Sequence, residues 1–85
     1  MTDNRPTIRA FVLDEFLPDV RVEELGYDDT LDDVVDSLGV LQVIAWIEDT
    51  YDLVLDDAEI GPDSFRSVTA IARFVEQART LADAP

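Results

Sequence analysis

The chain has 85 residues, 47% of them hydrophobic, enough for one small core and too many for wholesale disorder. Twenty acids against six bases, all arginine, give a formal net charge of −14, and there is no histidine or cysteine. Such a surface repels nucleic-acid phosphates and anionic membranes, no apolar run reaches the ~20 residues of a membrane span, and neither a disulfide framework nor a thiolate metal site is available.

The start, MTDNRPTIRAF, lacks the basic and apolar stretches of a secretory signal, so the expected location is the cytoplasm. Asp3 or Asn4 can cap a first helix over about 5–17, with Pro6 near its first turn, where a missing N–H does no harm. Ile8, Phe11, Val12 and Phe16 recur at helical spacing, and Pro18 ends the run. Residues 18–35 lack sustained periodicity. A connection this long is unusual in a compact domain, and Val20, Val22, Leu25, Leu31 and Val34 are its candidate anchors.

A second helix is expected over about 37–51. At about 100° per residue, Val40, Val43, Ile44, Ile47 and Tyr51 fall on one face, and Gln42, Ala45, Trp46 and Asp49 on the other. Asp52 begins a turn and Leu55 is a lone apolar anchor. A short helix over about 56–61 precedes Gly61-Pro62. Ser67 caps a last helix over about 67–80, with Val68, Ile71, Ala72, Val75 and Ala78 as its buried stripe. VLDEF and LVL resemble strands, but the helical pattern spans more of the chain. The expectation is an all-α fold in a single domain, 1–85: a small four-helix bundle of three main helices and one short one, with a long loop between helices 1 and 2.

The charge is local. Residues 14–63 hold 17 acids and one base, Arg21, whereas the two ends hold three acids and five arginines. A basic protein partner is attracted to such a stretch and associates faster at low salt; the same charge also keeps a small protein soluble.

One serine stands out, in Asp33-Val34-Val35-Asp36-Ser37-Leu38-Gly39. A serine nucleophile needs a base, usually His or Lys, and the chain has neither, nor a G-x-S-x-G turn. Hydrolase chemistry is excluded on that ground, and no catalytic residue is assigned. A calcium loop begun at Asp28 puts Asp33 where glycine belongs and Gly39 where a bidentate Glu belongs, so no metal site is assigned. The plain reading is that Asp36 or Ser37 caps helix 2.

D-S-L opening the second helix after a long acidic loop, the apolar spacing through Tyr51 and the downstream D-S-F-R-S-V give the chain a wider likeness. From about Ile8 to Val75 it resembles the acyl carrier proteins. The resemblance implies a non-catalytic carrier with a 4'-phosphopantetheine arm, donated by coenzyme A and joined to Ser37 through a phosphodiester, which makes it a phosphoprotein. The activating base then belongs to the phosphopantetheinyl transferase. The arm supplies the thiol that the polypeptide lacks, and cargo rides on it as a thioester. The first N–H groups of a helix and its positive end suit a phosphodiester anion.

The resemblance also implies a monomer that docks basic patches of loading, condensing and acyl-modifying enzymes. The recognition surface expected is Asp36, Leu38, Leu41, Gln42, Ala45, Trp46, Glu48, Asp49 and Asp52, with Asp56 and Asp57 beyond. Surface ion pairs are worth about 0–1 kcal/mol each, which suits steering rather than tight binding. An acyl chain folded back between helices would be lined by Val43, Ile47, Leu55, Ile60 and Ile71; the alternative there is an ordinary packed core.

Three departures from the family pattern point away from housekeeping fatty-acid synthesis and toward polyketide or hybrid natural-product assembly. Gln42 stands where a glutamate is typical, Gly39 where a polar residue is common, and Trp46 on a mostly polar face. Trp46 either covers the first loop, over Leu25 or Tyr27, or contacts one dedicated partner. Two rival readings stay open: a peptidyl or aminoacyl carrier, and an arm-less helical interaction module.

Overall fold

The computed structural model describes residues 3–55, 60–61 and 63–83. Helix α1 spans Arg5–Phe16, a short 3-10 turn spans Val22–Glu24, α2 spans Ser37–Tyr51 and α3 spans Val68–Asp83. There is no strand among the described residues. Residues 56–59 of the short helix expected over 56–61 lie outside the described residues, as do Pro62 and the acids Asp56 and Asp57. Ile60 and Gly61 are not helical. The short helical piece that is described sits instead in the long first loop.

The core draws on every helix. Ile8 and Val12 from α1, Val43 and Ile47 from α2, and Val68, Ile71 and Val75 from α3 are fully buried, together with Leu31 from the loop. All are branched aliphatics, which lose little rotamer freedom when packed and fill space tightly. α1 packs against α3. Phe65, in the turn before α3, meets Phe74 edge to face at 5.4 Å and closes that end of the core.

Polar groups then fix how the helices start. Asn4 stands at the α1 cap position, but its side-chain amide donates to Glu76 Oε1 at 2.6 Å and so ties α1 to α3. The carboxylate of Asp3 does the capping: it accepts the Arg5 N–H at 3.0 Å and pairs with the Arg5 guanidinium. Ser67 caps α3, its hydroxyl accepting the Ala70 N–H at 3.1 Å.

The long loop is pinned rather than loose. The Tyr27 carbonyl accepts the Thr69 N–H at 2.9 Å and the Arg66 carbonyl accepts the Leu31 N–H at 2.7 Å. The first of these satisfies an α3 donor that has no intrahelical partner. The Tyr27 ring lies beneath two guanidinium groups, Arg5 at 4.8 Å and Arg9 at 4.4 Å. Of the expected anchors, Leu25 and Leu31 are buried and Val20 and Val34 half-buried, but Val22 is 47% exposed. Val35, not among the expected anchors, is buried instead. No helix of the described residues is long and apolar enough to cross a membrane.

Candidate functional site

The end of the long loop sets the start of α2. Leu31 is fully buried, and its carbonyl accepts the Val34 and Val35 N–H groups at 2.9 and 2.8 Å, closing a tight turn. With Val35 also buried, the chain reaches Asp36 from a fixed direction. Asp36 is extended (φ −83°, ψ −168°), and its carboxylate accepts the Gly39 N–H at 2.8 Å while its carbonyl accepts the Val40 N–H at 2.8 Å. This is an N-cap, and it makes Ser37 the first helical residue of α2. The cap role that the sequence left open between Asp36 and Ser37 falls to Asp36.

The surroundings fit an attached anionic arm. Asp36 is exposed, Leu38 is 72% exposed and Leu41 62%, so the residues around Ser37 leave room and offer an apolar shelf. The first-turn N–H groups of α2 have no carbonyl one turn back to bond, and the positive end of the helix favours a phosphodiester. The Asp36 carboxylate partly opposes that charge.

The expected recognition residues divide. Leu38, Leu41, Gln42, Ala45 and Asp49 are all exposed and share one face of α2 at helical spacing, and the exposed Asp52 follows as its C-cap. That face is apolar near Ser37 and acidic at its far end. Glu48 lies at its edge, and its carboxylate accepts the Leu55 N–H at 3.0 Å, holding the segment that follows α2. Trp46 does not share the face: its ring is half-buried and stacks on Phe11 of α1 at 4.3 Å, 14° from parallel. It also meets Tyr51 edge-on at 5.9 Å. The ring partner is thus Phe11 of α1 rather than the expected Leu25 or Tyr27, and the Tyr27 ring lies instead against Arg5 and Arg9.

The residues expected to line an acyl cavity belong to one hydrophobic cluster. Val43, Ile47 and Ile71 have no exposed surface, and Leu55 and Ile60 sit half-buried at its margin. Two residues that shape the α2 start were not singled out from sequence for that role. Val35 is one, hidden because a loop has no periodicity to mark its inward side chains. The other is Phe16, whose ring reaches Gly39; the absence of a Cβ at that glycine was the available signal.

Comparison with known proteins bears on this geometry. The family model described as "Phosphopantetheine attachment site" matches residues 14–75. A solved structure titled "Structure of KstB-PCP(apo)" is 43% identical, covers 91% of this chain and 87% of its own, and superposes with a TM-score of 0.79. No curated protein matches. The matched span contains the whole of α2, its capped start and the loop before it. The chain thus belongs to the phosphopantetheine-attachment family, non-catalytic carriers of a 4'-phosphopantetheine group that work with a phosphopantetheinyl transferase and with biosynthetic enzymes.

Proposed function

We propose that Ser37 is the residue to which the 4'-phosphopantetheine group is attached. The observation that carries this reading is its place: first residue of α2, behind the Asp36 cap, with exposed neighbours, inside the matched span. Ser64 lies in a turn, where its hydroxyl accepts the Gly61 N–H, and Ser67 is occupied as the α3 cap. When bound, the arm supplies a terminal thiol that holds cargo as a thioester. The chain's own part is to present the hydroxyl at a fixed helix start and to offer the outward face of α2 to partners. Leu38 and Leu41 provide apolar contact near the attachment point, and Asp49 and Asp52 steer basic surfaces from the far end.

Two cargo readings have support. The acidic stretch over 14–63 and the D-S-L sequence favour acyl intermediates of polyketide or fatty-acid-like assembly. The 43% identity to a structure whose title names a PCP favours aminoacyl or peptidyl cargo. Both use the same thiol, so the loading enzyme separates them. The arm-bearing protein is offered to an amino-acid adenylating enzyme and, separately, to a malonyl transferase, and intact mass is recorded. Aminoacyl loading alone selects the peptidyl carrier and malonyl loading alone the acyl carrier. An apo protein that gains no mass from coenzyme A and a broad-specificity transferase contradicts the attachment reading and leaves the arm-less module.

A further inference from the structure

Gly39 is buried although it sits in the first turn of α2 between exposed neighbours such as Leu38 and Leu41. No glycine among the described residues has a positive φ, so backbone conformation does not call for glycine here. Space does. A Cβ at this position would lie 3.1 Å from Phe16 Cε1, 3.3 Å from Val35 Cγ1 and 3.4 Å from Asp36 Oδ1. Favourable carbon–carbon contact begins at about 3.5 Å. The Phe16 ring and the Val35 methyl would therefore each have to give by a few tenths of an ångström to admit a methyl group, whereas the Asp36 oxygen would be at ordinary contact.

The Phe16 ring is not free to retreat without cost. Phe16 is the last residue of α1, and its ring meets Phe11 edge-on at 6.1 Å. Phe11 in turn is stacked on Trp46 at 4.3 Å. The row Phe16–Phe11–Trp46 therefore runs along the α1–α2 seam and ends against the bare backbone of Gly39. On the opposite side Val35 is held in the core, and the Gly39 N–H is bonded to the Asp36 carboxylate. Gly39 is thus tied to the Asp36 cap, and Ser37 lies between them in the same turn.

We infer that the contact of Phe16 with Gly39 sets the pose of this turn, and that Phe16 is a positioning residue for arm attachment. The inference rests on reading Ser37 as the attachment residue. A transferase that must align the serine hydroxyl with a phosphate of coenzyme A is sensitive to sub-ångström shifts of the turn that carries it.

The test uses apo protein, coenzyme A and a broad-specificity phosphopantetheinyl transferase, with steady-state rates of mass gain and melting temperatures for wild type, Gly39→Ala, Phe16→Leu and the double variant. Alanine is the better helix former, which offsets the cost of moving Phe16 and Val35 by a few tenths of an ångström, so Gly39→Ala is expected to melt near the wild type. Its kcat is expected to fall about tenfold with KM within about twofold, the signature of misalignment rather than lost binding. Phe16→Leu alone loses the contact and is also slower. In the double variant the shorter side chain leaves room for the new Cβ, and kcat returns to within about threefold of wild type. Wild-type kcat in Gly39→Ala, or losses that multiply in the double variant, would overturn the inference. Should Gly39→Ala fail to fold, Phe16→Leu and the double variant decide: a slow single with a recovered double supports the contact, and equal rates refute it. A wild type that gains no mass at Ser37 defeats the attachment reading as well; normal modification with insensitive variants defeats only the role of Phe16.

Discussion

Trp46 of α2 lies flat on Phe11 of α1, with ring centroids 4.3 Å apart and planes 14° from parallel. A tryptophan that a helical wheel puts among polar residues is thus part of the seam between two helices. Stacked pairs add about 0.5–1.5 kcal/mol beyond burial. Trp46→Ala is expected to cost about 2–3 kcal/mol in urea unfolding, below the roughly 3–5 of a fully buried ring because Trp46 is only half-buried. A loss under 0.5 kcal/mol would mean that the stack contributes little and would return Trp46 to the set of partner contacts.

Asp52 ends α2 in the left-handed region, at φ 54° and ψ 51°. A Cβ makes that conformation costly, and glycine removes the cost. Asp52→Gly is expected to raise stability by about 0.5–1 kcal/mol. It also removes one charge from the acidic end of α2, so association with a basic partner should slow at low salt and converge with wild type at high salt. Destabilisation on chemical denaturation would show that the carboxylate has a structural role of its own.

The Tyr51 hydroxyl is buried and has no hydrogen-bond partner among the described residues. Burial pushes its acidity to higher pH, with Arg79 over the ring pulling modestly the other way and Glu76 adding to the rise. The folded state therefore favours the neutral phenol. Its contribution is complete below the ordinary tyrosine value of about 10 and is lost as pH rises through the higher folded value, because the unfolded phenol ionises first. Tyr51→Phe should be equal or more stable at neutral pH, by about 1 kcal/mol at most, and should lack this alkaline loss. Melting curves between neutral and strongly alkaline pH read both effects; a less stable Phe variant would indicate that the hydroxyl is paired.

The helical layout was legible because apolar residues recur at helical spacing over 8–16, 40–51 and 68–78, and that signal is internal to each helix. The place of Ser37 at the head of α2 was legible as well, since D-S-L stands where a cap followed by an apolar run must start a helix. What α2 packs against was not. A wheel drawn from one helix contains no information about Phe11 on another, so it could set Trp46 at the edge of the core but could not name the ring it packs on. The loop failed for a related reason: without periodicity, nothing separates exposed Val22 from buried Val35. Glu48 looked like one more docking carboxylate because its bond to the Leu55 N–H depends on how the chain leaves the helix.

Cargo length gives another check on the core. Admitting an acyl chain among Val43, Ile47 and Ile71 means parting side chains that have no exposed surface. The melting temperature of the acylated protein is therefore expected to be nearly independent of chain length. A steady rise, corresponding to as much as roughly 0.8 kcal/mol per added CH₂, would show that the core opens and buries the chain.

The most direct test of the account concerns Ser37 itself. Wild-type protein and Ser37→Ala are incubated with coenzyme A and a broad-specificity phosphopantetheinyl transferase, and intact mass is recorded beside the helical circular dichroism. The Asp36 carboxylate makes the cap bond to the Gly39 N–H, so the variant should keep its helices. The account predicts that the wild type gains one phosphopantetheine group and that Ser37→Ala, equally helical, gains none; a mass gain that persists in the variant would contradict it.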